Sequence, residues 1–168
     1  MALTIPAGVN AEGMVKIVWT PTQSLSVAIL TGATSVDLSC YLIKDSFGYD
    51  AATEKGTDER VCSKEVYETL GKTTWSFEDL LYVWSPQATT GSADNKAYET
   101  LKFNTPGYLT VRWGKDVEAD FAVGDVVDQF PITVGQQVPQ KPEANSKLKV
   151  KQSISVTGPA NRDAKLIA

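Results

Sequence analysis

The chain has 168 residues, enough for one domain with a sizeable core, and its 42% hydrophobic and 21% charged residues are typical of a folded globular protein. It has no histidine, which excludes His-based catalytic triads, His-ligated zinc and imidazole acid–base catalysis. Its net charge of −4 disfavours a protein that grips nucleic acid by the phosphates. No apolar run of about 18 residues predicts a membrane span. The N-terminus lacks the basic and apolar regions of a signal peptide, so we expect synthesis in a cytoplasm and no membrane insertion.

Alternation of apolar and polar residues predicts strands along most of the chain. The segments with this pattern are 15–20, 35–43, 74–84, 108–113, 126–138 and 146–157, and 60–70 has strand composition with a blurred pattern. A single helix is predicted at about 93–103, capped by Ser92, with Ala97, Tyr98 and Leu101 on one face. About seven strands and one helix indicate a mainly β protein, an antiparallel β-sandwich or barrel with one flanking α-helix.

The segments between these elements suggest how the chain is organised. Residues 44–60 have little periodicity and read as a long loop, which is usually functional or disordered. Residues 135–145 are polar and contain two prolines, as in a projecting hairpin tip. The ends lack strand patterning, so we expect an N-terminal arm at 1–13, one β-sandwich domain at 14–158 and a C-terminal arm at 159–168.

The charge is distributed unevenly along the chain. Six basic and two acidic residues give residues 141–168 a charge of +4, which leaves −8 for residues 1–140. Such an asymmetry suits a protein whose acidic part meets the basic part of a neighbour, and a solvated basic face is the alternative.

A search for chemistry finds carboxylates and cysteines but no catalytic motif or cofactor signature. Five carboxylates cluster, at Asp116, Glu118, Asp120, Asp125 and Asp128. A calcium site or a glycosidase pair is conceivable, but the EF-hand order does not fit and a solvated acidic turn is the better interpretation. Cys40 and Cys62 are too far apart in sequence for a CxxC motif. They meet across neighbouring strands or, more simply, are two buried reduced thiols.

The aromatic residues fall into two groups. Trp75, Phe77 and Trp113 lie on apolar strand faces, where core packing explains them. Tyr82 and Trp84 lie on the opposite face of their strand. They form a sugar platform or a subunit contact, or they pack under the helix stripe.

Several strings in order resemble a known family. They are Met1-Ala-Leu-Thr-Ile-Pro-Ala-Gly-Val-Asn10, Asp37-Leu-Ser-Cys-Tyr-Leu42, Asp58-Glu-Arg-Val-Cys-Ser63, Ser85-Pro-Gln87, Asp94-Asn-Lys-Ala-Tyr-Glu-Thr-Leu-Lys102, Gly107-Tyr-Leu-Thr-Val-Arg-Trp-Gly114, Asp125-Val-Val-Asp128, Pro142-Glu-Ala-Asn-Ser-Lys-Leu148 and Val156-Thr-Gly-Pro159. Together, over about residues 1–165, they resemble the major tail tube proteins of long-tailed, non-contractile phages of actinobacteria.

The resemblance implies a fold and an assembly. Tail tube proteins have a β-sandwich flanked by one helix, and six copies form a ring whose strands join into one barrel. Stacked rings form a hollow tube in the virion tail, which holds the tape measure protein, meets terminator and distal tail proteins, and passes DNA without binding it specifically. The long loop, and often the terminal arms, reach the adjacent ring. If each subunit gives four strands, 24 strands at about 4.8 Å spacing and roughly 40° tilt form a barrel about 48 Å across, wide enough for a DNA duplex.

The resemblance also suggests roles for particular residues. Contacts to the next ring are expected from Phe47, Tyr49, Asp50, Glu54, Asp58 and Arg60. Polar positions compatible with the lumen are Asp37, Ser39, Glu65, Gln129, Thr133, Ser153 and Ser155. The basic residues Lys147, Lys149, Lys151 and Arg162 are expected on the outer wall or in charge pairs between subunits, because a basic lumen would retain DNA phosphates.

Two other functions remain open at this point. One is a tube-like or terminator protein of a tail or a contractile injection system. The other is a carbohydrate-binding β-sandwich on the virion surface, with Trp84 as its aromatic platform.

Overall fold

A computed structural model describes residues 8–44 and 46–168. In chain order the elements are β1 Val15–Thr20, α1 Val27–Leu30, β2 Val36–Asp37, β3 Tyr49–Asp58, β4 Tyr67–Phe77, β5 Leu80–Val83, a 3-10 turn Ala93–Asn95, α2 Lys96–Thr100, β6 Pro106–Trp113, β7 Val126–Val134, β8 Val138–Pro139, β9 Lys149–Gln152, β10 Ile154–Val156 and β11 Asn161–Lys165. The mainly β fold with a short flanking helix confirms the predicted class.

The main sheet is antiparallel, with strand order β2-β1-β6-β7. Strand β10 pairs with the second half of β7, and β11 pairs with the first half. A smaller antiparallel sheet, β5-β9-β8, packs on one face of the main sheet together with α2. The core between these layers contains Leu109, Phe130 and Ile132 from the main sheet and Leu80 and Val150 from the smaller one. This layered arrangement is a β-sandwich.

The opposite face of the main sheet is also covered. Helix α1, the end of β11 and the loop between β6 and β7 enclose a second cluster around Val18, Val127 and Leu166. Gln129 lies on this face and is 1% exposed, where its amide donates to the Thr110 hydroxyl and to the carbonyl of Ser24. Its predicted place in a lumen is therefore wrong for this fold, because α1 and its flanking segment cover the polar side of the strand.

The prediction of a solvated acidic turn is only partly right, because Asp116, Glu118 and Asp120 are exposed but Asp125 and Asp128 are not. Arg112 is 1% exposed and donates to the carbonyls of Asp116, Ala119 and Asp120 and to the carboxylate of Asp125. Asp128 lies on the opposite face of the main sheet from Arg112, with Phe130, where it is also buried and accepts from Arg162. Two of the five clustered carboxylates are thus partners of arginines, and no cluster that could hold a metal ion occurs in the described part of the chain.

The predicted strands were in part too long. Of segment 35–43 only β2 is a strand, and Cys40 lies in the turn that follows. Segment 74–84 is interrupted at Glu78 and Asp79, between β4 and β5. Segment 146–157 breaks at Ser153, where the chain leaves the small sheet as β9 and joins the main sheet as β10. Each break occurs where the chain changes sheet or direction, which local alternation does not reveal.

The helix prediction is confirmed in place and capping, although it is shorter than expected. The Ser92 hydroxyl accepts a hydrogen bond from the backbone N–H of Asp94 at 3.2 Å. Ala97 and Leu101 are each 1% exposed against the core. In contrast, α1 has no predicted counterpart.

The predicted arms differ in their outcome. Residues 1–7 of the N-terminal arm lie outside the described residues. The prediction of a free C-terminal arm at 159–168 is wrong. This segment contains β11, which pairs with β7, and Leu166 near its end is buried. The predicted hairpin tip at 135–145 does turn back, but Val138 and Pro139 pair with β9 and Gln137 donates to the Tyr82 hydroxyl. Only the remainder of that segment is a projecting turn.

Candidate assembly surface

The segment expected to be a long loop is one strand of a β-hairpin. Strands β3 and β4 pair over Tyr49–Asp58 and Tyr67–Phe77 and form a two-stranded sheet of their own. Nearly every residue of both strands is exposed or half-exposed. Within residues 8–44 and 46–168, no other strand pairs with the outer edge of either strand. Unpaired edges of this kind are templates for pairing with another chain.

The root of the hairpin is held to the sandwich by aromatic side chains. Tyr49 packs on Phe130 with ring centroids 4.8 Å apart, and Trp75 and Phe77 approach the same ring at 5.6 and 5.0 Å. Phe47 contacts Tyr49 and Phe77 from the chain just before β3. Phe47 and Tyr49 are therefore half-buried parts of this subunit's own core rather than anchors on a free loop, and a contact with the next ring stays a prediction.

Polar bonds reinforce the same root. The Tyr49 hydroxyl donates to the Asp128 carboxylate on β7 and accepts from the Trp113 indole N–H at 2.9 Å. Burial, together with the bond to Asp128, raises the pKa of Tyr49 to about 12. Although burial by itself raises the pKa of Asp128, the bonds from Tyr49, from the Asp163 N–H and from Arg162 hold that pKa below its ordinary value.

The two faces of the hairpin are chemically different. The register places Tyr49, Trp75 and Phe77 on the face that packs on the sandwich, which we call the inner face. The outer face, on the other side, carries Asp50, Ala52, Glu54, Gly56 and Asp58 from β3, and Ser76, Thr74, Thr69 and Tyr67 from β4. Three carboxylates thus follow one another along the outer face of β3, of which Asp50 and Glu54 are exposed and Asp58 is half-exposed.

The tip of the hairpin, residues 59–66, is exposed. It contains three residues for which the sequence suggested a role or an environment, namely Arg60, Cys62 and Glu65. Arg60 pairs with Asp58 at 2.9 Å on the surface. Glu65 is exposed close to Tyr67, at the far end of the hairpin from the sandwich. Cys62 is exposed here and Cys40 is exposed on the body, and neither is in a disulfide among the described residues. The prediction of two buried thiols is therefore wrong.

The remaining lumen candidates lie at two places. Asp37 is exposed beside Lys16, and the Ser39 hydroxyl accepts from the backbone N–H of Ile17. Ser153 and Ser155 are exposed, and Ser155 lies opposite Thr133 in the β10–β7 pair. Ser155 and Thr133 therefore share one face of the main sheet, while Asp37 lies at its other edge.

Three of the four basic candidates have acidic partners within the chain. Lys149 pairs with Glu143 at 2.8 Å, Lys151 with Asp79 at 3.0 Å and Arg162 with Asp128 at 2.7 Å. Lys147 is exposed at the end of the smaller sheet. Pairing within the subunit explains most of the basic stripe, and charge pairs between subunits stay a prediction.

The remaining aromatic residues are structural. Trp84 stacks on Tyr98 of α2 with centroids 5.4 Å apart, and Tyr82 is fully buried with its hydroxyl on Gln152. Packing under the helix stripe thus accounts for both side chains, and a subunit contact or a sugar platform at the half-buried Trp84 stays a prediction. Sequence reasoning missed Gln152, which donates to the carbonyls of Leu101 and Gly135. In the alternating pattern of this segment, Gln152 falls on the same side as Val150 and Ile154. This position was the sequence feature that could have indicated its burial.

The arrangement defines a structural β-sandwich protein with an exposed β-hairpin whose outer strand edges are unpaired. In the described residues no helix has the length and apolar character to cross a bilayer. The chain belongs to the phage tail tube proteins, because a family model of that description matches residues 2–168. Members of this family are structural components of a virion tail that assemble with themselves into a tube, and they are not enzymes. No curated protein matches significantly.

Proposed function

We propose that six copies of this chain form a ring, and that stacked rings form the hollow conduit of a long, non-contractile tail. The observation that carries the proposal is the β3–β4 hairpin, whose exposed strands have no partner on their outer edges in the described part of this tail tube protein. Pairing with neighbouring copies satisfies the backbone groups on those edges, and a closed ring leaves no edge exposed.

The width of a conduit sets how many strands each subunit supplies. Hairpins alone give 12 strands from six copies, and at about 4.8 Å spacing and roughly 40° tilt these close into a barrel only about 24 Å across, too narrow for a duplex once side chains point inward. Strand β4 runs beside β10, which pairs with β7. Four strands per copy give a barrel of about 48 Å, so two strands of the body must line the conduit beside the hairpin. Strand β10 is the nearest of these, whereas β7 has β6 on its other edge and cannot pair with a neighbouring copy there.

The outer face of the hairpin suits the lining of such a conduit. It points away from the sandwich and carries Asp50, Glu54 and Asp58 among small and hydroxyl side chains. Ser153, Ser155 and Thr133 provide further uncharged polar positions next to it. Carboxylates repel the phosphates of passing DNA, so the wall guides the genome without retaining it.

The conduit implies particular partners. A tape measure protein fills the lumen during assembly in the host cytoplasm, terminator and distal tail proteins close the two ends, and DNA later passes to the host cell. The exposed tip at 59–66 reaches the adjacent ring, with the strand edges providing contacts within a ring. A terminator protein stops at one ring, so tubes longer than one ring distinguish the two functions.

A pair of hairpin deletions tests the proposal. In the first, Asn-Gly joins Thr53 to Thr73, which are cross-strand partners, so the tip and the outer half of both strands are lost while the aromatic root is kept. In the control, Asn-Gly joins Asp58 to Tyr67, so only the tip is lost. Electron microscopy of concentrated wild-type protein should show hollow six-fold rings or tubes.

The two deletions have different expected outcomes. The first should leave a folded monomer that forms neither rings nor tubes, since the outer half of both strand edges is gone. The control should still form rings but should stack poorly. Normal tubes from the first deletion would contradict the proposal.

A further inference from the structure

One buried carboxylate joins the hairpin, the main sheet and the C-terminal strand. Asp128 on β7 is 4% exposed. One of its oxygens accepts from the hydroxyl of Tyr49, at the start of β3. The other accepts from Arg162 Nε at 2.7 Å and from the backbone N–H of Asp163 at 2.9 Å. The three donors come from two elements, β3 of the hairpin and β11, so Asp128 links both of them to β7.

An irregularity in β11 places Arg162 at this carboxylate. Asn161 pairs with Gln129 and Ala164 with Val127, so two residues of β11 lie opposite Asp128 alone. Asp163 has a φ of 51°, which is rare for a residue other than glycine. Bulges re-aim side chains, and a strained residue persists only where its surroundings fix it. The bulge turns Arg162 toward the hairpin and the N–H of Asp163 toward Asp128.

The Arg162 guanidinium contacts both strands of the hairpin at its root. It lies 5.3 Å from the ring centroid of Tyr49 on β3 and 4.9 Å from that of Trp75 on β4. Such cation–π contacts add to the charge-assisted bond with Asp128. The Arg162 side chain of β11 therefore contacts the sandwich and both strands of the hairpin.

We infer that Asp128 and Arg162 are positioning residues, which fix the angle at which the β3–β4 hairpin leaves the sandwich. The inference rests on the proposed function, in which the hairpin edges pair between copies. A two-stranded sheet attached at one end pivots about its root unless something restrains it. Ring closure links strand tilt to strand number, so only one hairpin angle allows six copies to close. The C-terminal strand thereby contributes to assembly from within the subunit.

Replacing Arg162 tests the inference in the full chain. Arg162→Met removes the charge and keeps most of the side-chain volume, and Lys165→Met is the matched control on the same strand. Arg162→Lys keeps the charge but not the planar group that contacts the two rings. Hydrogen exchange of the monomer is measured at the hairpin root, residues 49–53 and 73–77, and in the sandwich, residues 108–113. The lowest protein concentration that gives tubes is measured in parallel.

We expect Arg162→Met to speed exchange at the root by about tenfold, with exchange in the sandwich and in Lys165→Met unchanged. The concentration needed for tubes should rise by a similar factor, and Arg162→Lys should restore part of both. If exchange accelerated equally in the sandwich, Arg162 would stabilise the whole fold rather than the hairpin root, and the inference would be overturned. Unchanged exchange at the root would also overturn it. If Arg162→Met does not fold, Tyr49→Phe gives the same comparison at the same carboxylate.

Failure of the proposed function has a different signature. If wild-type protein forms no ring or tube and is missing from virion tails, the proposed function fails. Root exchange in the variants still decides whether Asp128 and Arg162 hold the hairpin. Tubes with normal root exchange in Arg162→Met would leave the proposed function intact and overturn only the positioning role.

Discussion

The sandwich and the hairpin are built from the same kind of strand but are stabilised in different ways. Strand β6 buries Leu109 and Val111 completely, and β7 buries Phe130. Strands β3 and β4 are longer than either, yet beyond their root they bury almost nothing. A two-stranded hairpin is at best marginally stable by itself in water. The comparison indicates that the sandwich is a complete folding unit, whereas the hairpin needs the root network and other copies of the chain.

The largest effect on the sandwich is expected from Arg112→Met. The buried guanidinium binds three loop carbonyls and Asp125. Its loss leaves the three carbonyls unsatisfied, although Asp125 keeps its ion pair with Lys115. We expect the free energy of unfolding to fall by about 3–5 kcal/mol in urea titrations, because each unsatisfied buried acceptor costs about 1–3 kcal/mol. Arg60→Met at the hairpin tip removes only an exposed ion pair and should cost less than about 0.5 kcal/mol. Equal costs would contradict the distinction between the two regions.

A matched leucine pair compares the regions directly. Leu109→Ala in β6 empties a fully buried site and should lower the free energy of unfolding by about 2–5 kcal/mol. Leu70→Ala changes a residue that is 78% exposed in β4 and should alter it by no more than about 0.5 kcal/mol. Urea unfolding of the two monomers measures both. A large loss in Leu70→Ala would mean that the hairpin belongs to the folding unit.

Alkaline pH should weaken both regions through two tyrosines. Burial raises the pKa of Tyr82 in the sandwich, and that of Tyr49 in the hairpin root, to about 12. A raised pKa favours the neutral phenol in the folded state, so the stabilisation is complete below pH 10 and is lost between about pH 10 and 12. For Tyr82 the loss is on the order of 2 kcal/mol. Urea unfolding across this range should show a shallower decline in Tyr82→Phe, and an unchanged decline would contradict the assignment.

Acid pH should loosen the hairpin root by a smaller amount. The pKa of Asp128 is lowered on folding, so its contribution is present above the ordinary aspartate pKa, near 3.9, and is lost as the pH falls further. Because Arg162 is partly exposed, we expect only about 1 kcal/mol. The protection of the amides of residues 49–53 from hydrogen exchange, relative to their intrinsic exchange rates, should fall below about pH 4, and in Asp128→Asn this pH dependence should disappear. Persistence of the same dependence in that variant would assign it to another carboxylate.

The sequence by itself determined the elements whose side chains alternate between core and solvent. Local periodicity and capping predict strands β1, β6 and β7 and the helix capped by Ser92. An element that is buried on one face has apolar residues at a regular spacing, which can be recognised in the sequence. The family resemblance was also carried by the sequence strings and is confirmed by the family match.

Only the tertiary structure decided the features that involve two distant segments. Strand β3 is exposed on both sides beyond its root, so no apolar period marks it, and its strand conformation comes from pairing with β4. Gln129 has the pattern of a solvent-facing residue but is covered by the segment around α1. Strand β11 has few apolar residues and is held by β7 and by the Asp128 bonds. In each case the deciding partner lies at least nine residues away in sequence, where side-chain periodicity carries no information about it.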